Sequence, residues 1–144
     1  MQRSYKHFNT HFFIFLASLF FISGANLFCQ SKSDALELFS VSATSVSSSQ
    51  LDLEFSFDSR LDPSSIDESS ILINGKESSF EGKVVFSKDG SRFKIRINSS
   101  LKEFNLIVQG ILSDEGMEMS PAEIDGLEAG CTYTKRSPSK WEKS

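Results

Sequence analysis

Residues 50–74 read QLDLEFSFDSRLDPSSIDESSILIN, and this stretch decides the fold. It opens in strict alternation, with Leu51, Leu53, Phe55 and Phe57 on one side and Asp52, Glu54, Ser56 and Asp58 on the other. A period of two is the signature of a strand with one apolar and one wetted face. Each large apolar side chain contributes about 1.5–3 kcal/mol on burial, so this strand is expected to nucleate a core. A Leu-Asp-Pro-Ser-Ser-Ile turn follows, and then a short apolar strand, Ile71 to Ile73, stopped by Asn74-Gly75. Asn-Gly is the dipeptide that best tolerates positive φ in a tight turn.

Working outward, Ala35 to Ala43 (ALELFSVSA) reads as a first strand with a fault in its alternation. Leu36 and Leu38 share one parity, and Phe39 and Val41 the other, which predicts a bend or bulge. Asp58–Ser70 reads as a loop, within which the run Pro63–Glu68 (PSSIDE), with proline early and acids near its N-terminus, predicts a single helical turn. Phe80, Gly82, Val84 and Phe86 alternate, and Ser87 to Ser91 (SKDGS) forms a hairpin loop. Arg92 to Asn98 (RFKIRIN) then mirrors the main strand with opposite charge: Phe93, Ile95 and Ile97 inward, Arg92, Lys94 and Arg96 outward. Such cross-strand charges set register rather than hold the fold, at about 0.2–1 kcal/mol per exposed pair. Phe104 to Val108 is a further strand, and Cys131 to Thr134 a last edge strand. Beyond Ser120-Pro121 the pattern weakens. About seven short strands without an amphipathic helix define an all-β sandwich over residues 35–136, with 137–144 (SPSKWEKS) as a polar tail in which Trp141 is loosely docked. The weakest strands, Ile71–Ile73 and Cys131–Thr134, are expected at the sheet edges.

The N-terminus carries a different signal. Residues 1–11 are polar and positive, Phe12 to Ile22 is nearly unbroken hydrocarbon, and Ser23-Gly24-Ala25 follows. That order predicts a secretory signal peptide over residues 1–28. Two processing routes are open. Ordinary cleavage after Ala25 gives a mature start at Asn26. Alternatively Cys29, followed by a polar tether over 29–34, is the lipidated first residue of a bacterial lipoprotein, with Phe28 standing where that pattern has a small residue. If Cys29 is not acylated, it is available to pair with Cys131 in an oxidising compartment. Closing a loop of about 100 residues contributes up to about 4–5 kcal/mol in the chain-entropy account. With acylation, Cys131 is left as a small buried hydrophobe.

Charge and composition exclude several classes. Removing the leader's Arg3 and Lys6 from 15 basic residues leaves 13 against 19 acidic ones, a net charge of −6. That balance disfavours nucleic acid, because counterion release needs clustered Lys and Arg. The only histidines, His7 and His11, precede the hydrophobic leader core. Ser-His and Cys-His catalysis and the commonest zinc ligand are therefore absent beyond it.

The order FSFDSRLDPSSIDESSILING, SKDGSRFKIRI, FNLIVQGILSDEG resembles the SbsA-type bacterial immunoglobulin-like domain family over about Leu36 to Met119. The segment Leu61-Asp62-Pro63-Ser64-Ser65-Ile66 is its most specific match. Phe104 stands where the family usually has tyrosine, and Ser113 and Met117 replace the usual Asp and Asn of the closing turn, which Gly116 keeps. The resemblance implies an immunoglobulin-like sandwich in an exported protein of the cell envelope, serving adhesion, spacing or scaffolding.

No phosphate loop, dinucleotide fingerprint, zinc spacing or nucleophile elbow occurs. Asp58, Asp62, Asp67 and Glu68 share one loop and are the candidate ligands for a weak calcium site, since hard cations take loop oxygens. The expected function is thus an envelope structural, adhesion or protein-interaction module without catalysis, cofactor or catalytic residues. Its expected partner is another envelope protein or a surface polymer, and its contact with the membrane is a lipid on Cys29. The alternatives are a ligand-binding protein or enzyme with an unrecognised site, and a membrane-anchored accessory subunit.

Overall fold

The computed structural model describes residues 34–144. The segment 1–28, the tether up to Ser33 and Cys29 lie outside the described residues. The architecture is all-β, with ten strands in two antiparallel sheets sharing one core. Six strands form the larger sheet. They are β1 (Leu38–Ser47), β2 (Gln50–Phe57), β5 (Val85–Phe86), β6 (Arg92–Asn98), β9 (Thr132–Ser137) and β10 (Lys140–Lys143), in the spatial order β10-β9-β1-β2-β6-β5. The smaller sheet has the order β4-β3-β7-β8, from β3 (Ile71–Ile73), β4 (Lys76–Glu77), β7 (Glu103–Val108) and β8 (Ala122–Glu128).

The alternation in β2 settles which way the sheet faces. Leu51, Leu53, Phe55 and Phe57 are all buried, as are Phe93, Ile95 and Ile97 across the β2–β6 ladder. Phe55 and Phe93 are register partners, and their rings stack at 4.7 Å between centroids. Phe57 and Phe86 also lie against Phe93, at 6.0 and 6.2 Å. The smaller sheet supplies the opposing layer through Ile71, Phe104, Leu106, Val108, Ile124 and Leu127. The parity fault in the first strand is a register shift between Leu38 and Ser40. Leu36 and Leu38 are buried before it and Val41 and Ala43 after it, while Phe39 at the shift stays 43% exposed. Leu36 forms a parallel bridge to Met119 before the strand joins β2 and β9.

Several expectations are corrected. The described residues form ten strands, not about seven. Residues 137–144 are not a tail: Pro138 and Ser139 turn the chain, and β10 pairs with β9 from Lys140↔Ser137 to Lys143↔Tyr133. Proline with its fixed φ suits that turn, and Trp141 packs against the core. Neither predicted edge is an edge, because Asn74-Gly75 folds β4 back on β3 and the Pro138 turn folds β10 back on β9. The outer strands are β10 and β5 in one sheet, and β4 and β8 in the other. The alternation from Phe80 to Phe86 yields only a single bridge, Phe80↔Ile97, and the two-residue β5, since Gly82 at φ +81° turns the chain between them.

Candidate functional site

The loop acids are used by the fold. Two short 3-10 turns, Pro63–Ser65 and Glu68–Ser70, replace the single helical turn expected there. Asp62 caps the first, its Oδ1 accepting from the Ser64 N–H at 2.9 Å and the Ser64 hydroxyl at 2.7 Å. Asp67 caps the second, accepting from Ser69 N–H at 2.9 Å and its hydroxyl at 2.6 Å. Asp58 accepts from the Glu37 N–H at 3.0 Å, and Glu68 accepts from Ser79 and Phe80. These carboxylates are thus committed to four separate tasks. Among the described residues no three His, Cys, Asp or Glu side chains converge on a cation position. The loop is also stapled to the closing turn: Asp62 N–H donates to Leu112 O at 2.9 Å, and Leu112 N–H to the Ser65 hydroxyl at 3.0 Å. That turn holds its shape through Gly116 at φ +81° and through the buried Ser113, whose hydroxyl accepts from Met117 N–H at 3.0 Å.

The charged outer face of the larger sheet pairs across strands as the alternation predicts. Asp52 and Arg96 are register partners joined by two hydrogen bonds, 2.7 Å from Nε and 3.0 Å from Nη2. Lys94 approaches the same carboxylate at 3.9 Å. Lys94 and Arg96 are exposed as expected, but Asp52 is not: its side chain is only 13% exposed, because two cationic side chains fold over it. The hydrogen bond from Arg96 holds the Asp52 carboxyl below the ordinary aspartate value of 3.8. Hydroxyl donors do the same elsewhere: Ser64 to Asp62, Ser69 to Asp67, and Ser87 to Asp89, which is lowered to about 2. A group depressed in the folded state contributes stability that is present above its unfolded value and lost as pH falls through the folded one. Melting temperature is therefore expected to fall between about pH 4 and pH 2, and to be insensitive to these groups above about pH 5. A melting series across that range checks it, and a flat profile down to pH 2 contradicts the assignment.

Cys131 is half-buried, packed against the core, and has no disulfide partner among the described residues. The partner considered for it, Cys29, lies outside the described residues.

Sequence reasoning missed the concave feature of the surface. A cleft of about 480 Å³ opens beside β8. One wall is the start of β8 with Pro121, Glu123 and Asp125, and another is the beginning of the first strand from Ala35 to Leu38. Its floor is the β9–β10 hairpin through Lys135 and Trp141, which are register partners. Tyr133 points into the core, so Lys135, two residues on, shares that inner face. Past Asp125, outside the cleft lining, β8 is tied to the β9–β10 hairpin. The Tyr133 hydroxyl accepts from Glu128 N–H at 3.1 Å and donates to Gly126 O at 3.2 Å. Lys143 Nζ and Glu128 Oε2 meet there at 2.6 Å. The only advance signal for this cleft was Trp141, a lone large aromatic in a polar segment.

No protein-family model, no curated protein and no solved structure matches the chain.

Proposed function

We propose that this chain is an exported envelope module of the SbsA-type immunoglobulin-like kind, which binds a protein or polymer of the cell envelope and catalyses nothing itself. It reaches the envelope through its signal segment, held there by a lipid on Cys29 or released to the periplasm or outside. The observation that carries the reading is the nature of the cleft beside β8: a strand edge and an aromatic floor form it, not a convergence of perturbed acids and bases. Catalytic sites gather such groups. Here the acids with lowered pKa lie instead on an outer sheet face and in turns, each tied to a serine or an arginine. The paired fit of the Leu61–Ile66 segment to the Gly116 turn, through Asp62 and Ser65, adds support, since these are the residues that carry the family resemblance.

Cross-linking in the native envelope, followed by reconstitution with the purified cross-linked component, tests the reading. Direct saturable binding without chemical change in the component is expected. Turnover of that component by the chain sinks it. Intact-mass measurement of the mature chain separates the two anchoring routes: a diacyl or triacyl addition on an N-terminal Cys29, or a lipid-free start at Asn26.

A further inference from the structure

The two sheets differ in width, six strands against four, and a cleft opens between the start of β8 and the β9–β10 hairpin. Beyond β8, no described strand of the smaller sheet covers the inner face of the β9–β10 hairpin. Trp141 and Lys135, both half-buried, lie on that strip. Tyr133 and the Lys143–Glu128 pair finish the edge of β8 from Gly126 onward, leaving the Ala122–Asp125 half to face the cleft. An edge with no partner strand among the described residues, beside a half-buried aromatic, has the geometry of a missing strand, and strand addition draws its affinity from main-chain hydrogen bonds.

The rim states which strand fits. Glu37, Glu123 and Asp125 line the cleft, and none of them enters an ion pair among the described residues. Lys135 is the one base among the lining residues. Glu123 and Asp125 flank the buried Ile124 and so face outward, where Lys or Arg side chains of an added strand pair with them, while its alternate apolar side chains cover the indole on the inner face. We infer that the Ala122–Asp125 edge is a slot for one extended, basic peptide segment of a partner, which completes the smaller sheet and covers Trp141. This rests on the binding role proposed above and adds the partner's chemistry.

Trp141 is the single tryptophan of the chain, so its emission reports the slot directly. The full chain, held in an uncharged detergent, is titrated with an octapeptide of alternating lysine and valine. Control peptides alternate lysine with proline (equal charge, no strand pairing) and glutamate with valine. A saturable blue shift is expected with the lysine–valine peptide. Binding is expected to be at least about tenfold weaker with lysine–proline and absent with glutamate–valine. The Glu123→Lys/Asp125→Lys chain, altered only at exposed positions, is expected to lose about tenfold in affinity with an unchanged melting curve. Equal binding of the proline peptide, or undiminished binding by the charge-reversed chain, overturns the slot. So does a shift that appears with chain concentration alone together with dimers, which assigns the slot to a second copy. None of those outcomes touches the broader binding role, which the reconstituted envelope component tests separately.

Discussion

Phe93→Ala is expected to lower the stability of the folded domain by about 3–5 kcal/mol, the range for removing a buried aromatic from a core that relaxes only in part. Phe93 is 1% exposed and is touched by three other rings, Phe55, Phe57 and Phe86. It is also where the two longest apolar ladders meet, opposite Phe55 in the β2–β6 register. Domains of this size hold about 5–15 kcal/mol in total, so the variant loses a large part of its margin. Urea denaturation reads the change as a fall in midpoint at constant slope. Val85→Ala, at an edge position 56% exposed, serves as the control and is expected to stay within about 0.5 kcal/mol. A Phe93→Ala midpoint equal to that control contradicts the packing described.

Tyr133 carries the second large effect, and two substitutions divide it. Tyr133→Ala removes a ring that is only 6% exposed and is expected to cost about 3–5 kcal/mol. Tyr133→Phe keeps the ring and removes only the hydroxyl that bridges Glu128 N–H and Gly126 O between the sheets. Its expected cost is about 1–3 kcal/mol, from polar groups left without their partner. Hydrogen exchange at Glu128 should accelerate in the Phe variant while exchange in β6 changes little. If the Phe variant melts like the parent and Glu128 exchanges no faster, the hydroxyl is not the clasp between β9 and β8.

The residues whose period was regular were legible. The alternation in β2 and β6 predicted which apolar side chains are buried and that the two charged faces meet, Asp52 excepted, which two cations cover, and the parity fault around Phe39 announced its bulge. Three features were not legible, each for a local reason. In β8, Ile124 and Leu127 both face the core three residues apart, because the extra residue at Gly126 (φ +63°) breaks the period of two. A Cβ at that glycine would also stand 3.1 Å from Glu103 Oε1. In β10, the sequence KWEK offers one apolar residue, and its pairing depends on β9 rather than on its own pattern. The acids of the Asp58–Glu68 loop resemble ligands in composition, yet hydroxyls and backbone N–H groups from neighbouring residues claim them first. The cleft was hidden for the same reasons, since it is built from β8, β10 and their difference in sheet width.

Amide hydrogen exchange of the chain, with and without the lysine–valine octapeptide, tests the central claim most directly. In the free chain the amides of β2 and β6 should be the slowest, and outward amides between Ala122 and Asp125 should exchange markedly faster. Saturating peptide should slow those β8 amides and leave the β5 edge unchanged. Protection of β8 equal to that of β6 before any peptide is added, or protection that appears only on β5, would contradict an open edge awaiting a partner strand.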